Sequence, residues 1–356
     1  SATRSDIAIT DPDFKYPSLW KSNIAADYKF GDGWVATIEL LYSKDINAIY
    51  HDNIGLYRTE QFVNDGGAGN ARPYYNGYYS DREGNQKAAN HVVMLRNTSK
   101  GHSLYTTFQL QKNFVDGILK GLYLNGSYSF GQSRGVTDGT SSVATSAWKY
   151  RAALDGNAEE VGYTAGSFDG RLLLSASYTA NWSKYAATSF GLIYQRYRPF
   201  RYSYCYNGDA NGDSQFSNDL MYIPANFDEV KDHLLPGDFD SQEDAWKAMN
   251  AFIEQDPYLS VSHDIKIYQK NGRSHTLRFS FNIANFLNLL NRNWGVVQTT
   301  VLGNQQYQFL TIPKGQGPSA ANNYTLKYTM AKDLDETFKD NLNDVSRWQM
   351  QFGIKY

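Results

Sequence analysis

The sequence is poor in cysteine, in proline and in long hydrophobic runs. Its 356 residues include a single cysteine, Cys205, so no disulfide can form within the chain. The 9 prolines leave room for long regular strands, because proline interrupts helices and sheets. No apolar run approaches the roughly 20 residues that a membrane-spanning helix requires. A small disulfide-framed domain and a helical membrane protein are therefore both excluded.

Neither sign of charge is in clear excess. Lys and Arg number 34 and Asp and Glu number 36, so the formal net charge is -2 and no basic surface for nucleic acid is indicated. The 6 histidines do not occur at the spacing of zinc ligands. Phosphate-binding loops and nucleophile elbows are also missing from the sequence. We therefore predict neither an enzyme nor a nucleic-acid partner.

Aromatic residues are abundant, and many segments alternate strictly between apolar and polar residues. Aromatics make up 15% of the chain, with 28 tyrosines. The clearest alternating segments are 34–43, 104–111, 121–131, 170–182 and 276–284. Such alternation predicts strands with one apolar and one polar face. A strand of a membrane barrel needs only about 10 residues with every second one apolar, so the mean hydropathy of -0.56 is compatible with a membrane.

The connections between these strands are of two lengths. Short turns are indicated at 31–33, 116–117, 183–184 and 271–272, mostly by Gly, Asn-Gly or Asp-Gly, which tolerate the positive φ of hairpin turns. Long connections occupy 59–87, 133–167 and 207–258. Short turns at one end and long loops at the other are typical of an outer-membrane barrel. A soluble β-sandwich or propeller also alternates, but its strands average only about 5–6 residues.

One segment, near 241–255, breaks the strand pattern and predicts a short helix within a loop. Ser241 is the expected N-cap residue. Trp246, Met249, Phe252 and Ile253 recur at helical spacing and share one face. This face packs against neighbouring loops or, in a second interpretation, docks a partner.

Several strings, spread in order over nearly the whole chain, together resemble the C-terminal half of TonB-dependent outer-membrane receptors, and in particular the Oar-like group related to SusC. The strings are DPDFKYPSLWKSNIAADYKF, WVATIELLYSKDINAIY, NARPYYNG, YNGDANGDSQFSNDLMYIP, AFIEQDPYL, FNIANFLNLLNRNWG and the terminal WQMQFGIKY.

The resemblance implies a transmembrane antiparallel β-barrel of about 22 strands, with a plug domain inside it and a TonB box before the plug. We expect an all-β chain, residues 1–356, forming a single domain that is the C-terminal part of such a barrel, with about 11 to 13 strands and no plug domain. The implied function is nutrient uptake across the outer membrane of a Gram-negative bacterium. The implied partners are outer-membrane lipid, TonB acting through the plug domain that this sequence lacks, and a surface lipoprotein. Two alternatives remain: a passive porin-like or scaffold barrel, and a soluble β-rich carbohydrate-binding module.

The string DANGDSQFSND has the residue types of a calcium loop. Asp209, Asn211 and Asp213 occupy positions 1, 3 and 5, and Asp219 closes the string. Alternating carboxylates and amides let one loop surround a hard cation with oxygens, as in an EF-hand. However, position 6 is Ser214, where an EF-hand has Gly. Such loops also form simply because Asn, Asp and Gly suit turns, so both a calcium site and a structural turn are open.

Two tyrosine-rich segments are candidate ligand-binding surfaces. RYRPFRYSYCY carries Arg196, Arg198 and Arg201, and PYYNGYY carries Tyr74 and Tyr75. Aromatic rings stack on sugars or cations, and Arg binds carboxylates. The alternative is that these residues lie in the membrane interface or pack within the protein.

The terminal VSRWQMQFGIKY predicts a last strand with one apolar face. Trp348, Met350, Phe352, Ile354 and Tyr356 alternate with mainly polar residues. By resemblance this is the barrel-closing strand, with the first four residues facing lipid and Tyr356 as the terminal aromatic residue that the outer-membrane assembly machinery recognises.

Overall fold

The computed structural model describes residues 6–67, 72–78, 91–138, 141–183, 186–197, 201–216, 218–253, 260–271, 278–300, 306–331 and 338–355. The strands are β1 (Ile7–Thr10), β2 (Leu19–Phe30), β3 (Trp34–Asp45), β4 (Ala48–Asn53), β5 (Leu56–Val63), β6 (Arg72–Tyr78), β7 (Val92–Thr98), β8 (His102–Asn113), β9 (Leu122–Gly135), β10 (Gly162–Tyr163), β11 (Gly170–Ser183), β12 (Ala186–Tyr197), β13 (Ser203–Asn207), β14 (Leu234–Leu235), β15 (Ser260–Asn271), β16 (Arg278–Ala284), β17 (Gln298–Thr300), β18 (Gln306–Thr311), β19 (Tyr328–Met330), β20 (Phe338–Asp340) and β21 (Gln349–Lys355). The helices are α1 (Ala144–Lys149), α2 (Gln242–Ile253) and α3 (Phe286–Leu290).

Ten strands form one large antiparallel sheet, which we call the large sheet. Nine of them lie side by side in the order β2-β3-β8-β9-β11-β12-β15-β16-β21, and β10 pairs with β9. The structure is 51% strand and 11% helix, which confirms the expected mostly-β class. Within the described residues the large sheet is open, with β2 and β21 as its edges, and no closed barrel is formed. The part of the chain that the structure describes contributes ten strands to this sheet, where the expected barrel portion has 11 to 13.

Hairpin turns join the neighbouring strands at one end of the large sheet. The β2–β3 turn contains Gly31 at φ +51° and Gly33 at φ +84°, as the sequence predicted. Gly117, in the β8–β9 connection, has φ +65°. These values lie in the left-handed region, which glycine adopts at little steric cost. The predicted turns at 183–184 and 271–272 fall partly outside the described residues.

The two faces of the large sheet differ in chemistry. Ile38, Phe108 and Tyr128 stand directly opposite one another on β3, β8 and β9, with Ala26 and Leu172 on either side. These three large side chains are exposed by 45%, 49% and 47%. Exposed apolar residues on the same face, one from each of eight strands, are Tyr28, Ile38, Phe108, Tyr128, Leu174, Phe190, Phe279 and Phe352. We call this the apolar face.

The opposite, polar face is held by side-chain hydrogen bonds between strands. Thr107 and Ser129 share a hydroxyl hydrogen bond of 2.8 Å between β8 and β9. Tyr123 donates to Gln111 at 2.8 Å across the same pair of strands. On β2 and β3, Asn23 donates to Glu39 at 2.6 Å. The first pair is directly opposite across the strands and the other two are diagonal, and cross-strand pairs of both kinds stabilise a sheet and leave its surface hydrophilic.

At the other end of the large sheet, long connections fold onto one another. The four connections 46–101, 136–169, 198–259 and 285–348 contain strands of the remaining sheets, among them β13-β18-β19-β14, β5-β6 and β1-β7-β4, in which β1 comes from the segment before β2. We call the folded parts of these connections the loop layer. Its main core is a set of buried apolar residues: Val63, Tyr206, Ala210, Met221, Val230, Leu234, Ala245, Met249, Tyr307, Phe309, Leu310, Leu326, Tyr328 and Met330.

The helix predicted near 241–255 is confirmed as α2. The backbone N–H of Asp244 donates to Oγ of Ser241 at 3.2 Å, so Ser241 is the N-cap, as expected. Met249 is buried in the loop-layer core and Trp246 packs against that core. The side chains of 252–253 lie outside the described residues. The sequence did not predict α1 and α3. None of the helices in the described ranges is long and apolar enough to cross a membrane.

Candidate metal centre

Asp219 is placed by a short antiparallel pairing inside the loop layer. Cys205 of β13 forms a bridge with Leu220. The N–H of Tyr206 donates to the carbonyl of Asp219 at 2.9 Å, and the N–H of Met221 donates to the carbonyl of Tyr204 at 2.9 Å. Asp219 is therefore fixed beside β13, at the end of the loop that carries the other acidic residues.

The loop after β13 is folded around the carboxylate of Asp209. Oδ1 accepts a hydrogen bond from the N–H of Gly212 at 2.6 Å, and Oδ2 accepts one from the N–H of Ser214 at 2.8 Å. The N–H of Asp213 donates to Oδ1 of Asn211 at 2.9 Å. Ser214 has φ +67°, so it makes the sharp turn that Gly makes at position 6 of an EF-hand.

This folding brings three of the predicted calcium ligands together. One carboxylate oxygen from each of Asp209, Asp213 and Asp219 lies within 4.8 Å of the others. Calcium–oxygen distances are about 2.3–2.6 Å, so oxygens on opposite sides of one ion are about 5 Å apart. Asn211, the fourth predicted ligand, is buried and its Nδ2 lies 3.4 Å from Oδ2 of Asp213.

Arg72 is the positive charge beside this cluster, and the sequence did not suggest it. Its Nη1 lies 2.7 Å from Oδ1 of Asp219 and its Nε lies 3.5 Å from Oδ2 of Asp65. The guanidinium is fully buried, with its carbon 5.6 Å from the centre of the Tyr206 ring. Because 147 residues separate Arg72 from Asp219, no local spacing could have paired them.

The buried position changes the acidity of the cluster. Burial, followed by the charges of Asp219 and Asp209, holds the pKa of Asp213 well above its usual range. Burial raises the pKa of Asp219 to about 7, although Arg72 acts in the opposite direction. Burial also raises the pKa of Asp209, against the effect of the backbone N–H groups that it accepts from. Three ionised carboxylates are therefore costly here unless a cation joins them.

A buried amide lies next to the same cluster. Asn218 is 2% exposed, and its Oδ1 has no hydrogen-bond partner among the described residues. Its Nδ2 is 3.7 Å from the point that a Cβ would occupy on Gly156, and Oδ2 of Asp213 is 3.8 Å from that same point. The Asn218 amide and the Asp213 carboxylate therefore border one small space in the protein interior.

The candidate ligand-binding tyrosines and arginines are not gathered into one surface. Tyr75 is buried and its hydroxyl donates to Asp155 at 2.8 Å. Tyr74 packs against the Tyr324 ring, with 5.1 Å between ring centres.

Of the three candidate arginines, two lie in the described part of the chain. Arg201 forms an ion pair with Asp169 and its guanidinium carbon lies 3.8 Å from the centre of the Tyr163 ring. Arg196 is exposed on β12, directly opposite Leu172. Arg198 lies outside the described residues. A shared ligand site for these residues and the two tyrosines remains a prediction.

The residues of the predicted closing strand lie at an edge of the large sheet. Met350, Phe352 and Ile354 project from the same face of β21, opposite Ile283, Phe281 and Phe279 of β16. Phe352 and Ile354 are 77% and 74% exposed, and Trp348, just before the strand, is also exposed. Tyr356 lies outside the described residues.

Comparisons with known proteins return nothing for this chain. No family model matches it, and no curated protein or solved structure is significantly similar to it.

Proposed function

We propose that this chain is the membrane-spanning and loop-forming part of an outer-membrane uptake protein of the TonB-dependent receptor type. One observation carries the membrane part of the proposal: the large sheet exposes its apolar face, whereas the loop layer buries a core of its own. Among the described buried apolar residues, only Ala180 and Ile283 belong to the large sheet.

A sheet in water does not leave such a face uncovered. Soluble monomers rarely expose continuous apolar patches larger than a few hundred Å². Here large apolar side chains that are nearly half exposed recur on neighbouring strands, with Ile38, Phe108 and Tyr128 in direct contact positions. A lipid bilayer supplies an apolar environment for this face without any further protein layer.

The lengths of the strands fit a bilayer. β8 has 12 residues and β9 has 14. At a rise of about 3.3 Å per residue, 12 residues extend over about 40 Å. Tilted by about 40°, such a strand crosses about 30 Å, which is the thickness of the hydrocarbon core.

The polar face and the loop layer supply the remaining parts of the proposal. The hydroxyl and amide groups of the polar face suit a water-filled lumen, and the loop layer lies where long extracellular loops would meet a solute. The sequence resemblance supports the other parts of the proposal, which are solute uptake, dependence on TonB, a plug domain and a lipoprotein partner.

The proposal is tested by placing the full chain in vesicles made with brominated phospholipids, which quench tryptophan fluorescence on contact. We expect quenching of Trp182, which is 67% exposed on β11, and none of Trp148, which is buried in the loop layer. Trp20 on β2 is 63% exposed and should also be quenched, so each tryptophan is measured in a variant that keeps it alone and replaces the other six by Phe. A chain that stays monomeric in water without detergent and shows no quenching would instead be the soluble binding module.

A second measurement separates active uptake from a passive pore. In cells that produce the complete receptor, solute accumulation should stop when TonB is deleted. Accumulation that continues unchanged without TonB would replace this proposal by a porin-like function.

A further inference from the structure

The acidic cluster of the loop layer has more buried negative charge than the surrounding protein neutralises. Asp209, Asp213 and Asp219 bring three carboxylates together and Asp65 adds a fourth nearby. Of the described residues, only Arg72 forms an ion pair with this group. Buried charges without a partner are strongly destabilising, so the imbalance indicates a missing cation or bound protons.

The donor atoms select the class of cation. The clustered ligands are carboxylate oxygens, with the side-chain amides of Asn211 and Asn218 nearby and no histidine in the group. Oxygen-only sites suit calcium and magnesium, whereas zinc prefers nitrogen and sulfur ligands. Magnesium keeps several waters and demands an octahedral site, but Asn211, Asp213 and Asp219 are each only 1% exposed. An irregular, largely dehydrated oxygen site therefore favours calcium.

The unpartnered amide of Asn218 is an independent observation that points to the same ligand. Buried amide oxygens are nearly always hydrogen-bonded, yet Oδ1 of Asn218 has no partner among the described residues. The amide borders the same small space as Oδ2 of Asp213, beside Gly156. The amide atom that borders this space is Nδ2, and a half-turn of the amide about its Cβ–Cγ bond would bring Oδ1 there. A cation in that space would then give the amide oxygen a favourable partner, because amide oxygens are ordinary calcium ligands.

We propose that Asp209, Asp213 and Asp219, assisted by the amides of Asn211 and Asn218, bind one calcium ion in the loop layer. The ion balances the buried carboxylates that Arg72 does not neutralise. This site is independent of the membrane proposal, because all its residues lie in the loop layer.

The position of the ion gives it a structural role that reaches beyond its own loop. The carbonyl of Asn211 accepts a hydrogen bond from the N–H of Tyr75 at 2.7 Å, which joins the loop to β6. The carbonyl of Asn218 accepts one from the N–H of Ala153 at 3.0 Å, which joins it to the 136–169 connection. Calcium at this point therefore fastens three of the long connections to one another.

The rate at which a thiol reagent labels Cys205 measures how often the loop layer opens, and this measurement needs no substitution. The chain's one cysteine is fully buried, and Leu220, its bridge partner, directly follows Asp219. Burial raises the pKa of the Cys205 thiol to about 12, so a thiol reagent reacts only when the loop layer opens. At calcium concentrations about 100 times its Kd, the open population and hence the labelling rate should fall about a hundredfold.

Terbium provides a second, direct readout of binding. Tb³⁺ occupies calcium sites and emits when a nearby tryptophan is excited. The indole nitrogen of Trp148 lies 3.3 Å from the Gly156 Cβ position that Asp213 also borders. We expect Tb³⁺ emission on excitation of tryptophan, and a loss of that emission when calcium is added in excess.

Asp213→Asn is the test variant and Asp52→Asn is its control. Asp52 is also a buried loop-layer carboxylate, but it pairs with Arg96, outside the cluster. Asp213→Asn should abolish both the terbium signal and the protection of Cys205 by calcium. It should not speed labelling in chelator, because the neutral amide removes repulsion between carboxylates. Asp52→Asn should keep both calcium responses.

Two results would overturn the calcium site. One is wild-type labelling of Cys205 at the same rate in calcium and in chelator, a measurement that needs no variant. The other is faster labelling of Asp213→Asn in chelator together with a retained terbium signal, which would make the acidic loop a structural turn only. Neither result affects the lipid-quenching test of the membrane proposal.

Discussion

Replacing Phe108 by Arg tests whether the apolar face is in contact with lipid. Phe108 lies midway along β8, with Ile38 and Tyr128 as its direct neighbours across the sheet. It is 49% exposed, so in the bilayer it would bury about half of roughly 200 Å² of side-chain surface. At about 25 cal/mol per Å², the loss of that burial costs about 2.5 kcal/mol.

The charge of the new side chain leads to a similar figure. Arg on the lipid face of a barrel strand near the bilayer midplane costs about 2–4 kcal/mol. We therefore expect Phe108→Arg to lower the free energy of unfolding by about 3 kcal/mol, measured by urea titration of the protein in phospholipid vesicles. In a soluble protein the same change of an exposed residue would stay within about 0.5 kcal/mol.

Gln109→Arg is the matched control, because Gln109 is the next residue of β8 and lies on the polar face. Its amide donates to Gln111 at 3.3 Å, and its side chain borders the proposed lumen. We expect this substitution to change the unfolding free energy by less than about 1 kcal/mol. Equal stability of Phe108→Arg and wild type, or a larger loss for Gln109→Arg, would refute the assignment of the two faces.

Three further changes test the loop layer, each by thermal or urea unfolding in chelator. Ser214→Gly should raise stability by about 1 kcal/mol, because glycine tolerates φ +67° without the steric cost of a Cβ, and Ser214→Ala should give no such gain. Arg72→Met should cost about 3–5 kcal/mol by leaving the buried Asp219 without its ion-pair partner, and Asp219→Asn in the same chain should recover much of that loss. Ser241→Ala should cost about 1 kcal/mol through loss of the α2 N-cap, and an unchanged stability would show that the cap contributes nothing.

The strands of the large sheet were predictable because their information is local. Alternation along 104–111 and 121–131 specifies two faces, and the structure places β8 and β9 there as direct neighbours. The N-cap at Ser241 was likewise visible, since a capping residue lies within a few positions of the helix that it starts. In both cases the physical cause operates between residues that are close in sequence.

The loop layer was not predictable in the same way, because its contacts join distant residues. β13 pairs in parallel with β18, so Ser203 stands beside Gln306, and no pattern within either segment indicates the other. For the tyrosine-rich segment at 73–79 the sequence leaves open both a ligand-binding surface and packing within the protein. Its Tyr75 is covered by the loop layer and bonded to Asp155, as in the packing alternative. The helices α1 and α3, of 6 and 5 residues, are too short for helical periodicity to be visible.

In the candidate metal centre, too, the local features were predictable from the sequence and the long-range contacts were not. Asp209, Asn211 and Asp213 were recognisable because one loop carries all three at alternating positions. Their burial, the approach of Arg72 and the unpartnered amide of Asn218 arise only when separate connections fold together. Those three features favour a bound cation, because an exposed loop of the same sequence would leave its carboxylates to water. The calcium-loop pattern therefore points to a cation site only because the rest of the chain folds over the loop and buries its carboxylates.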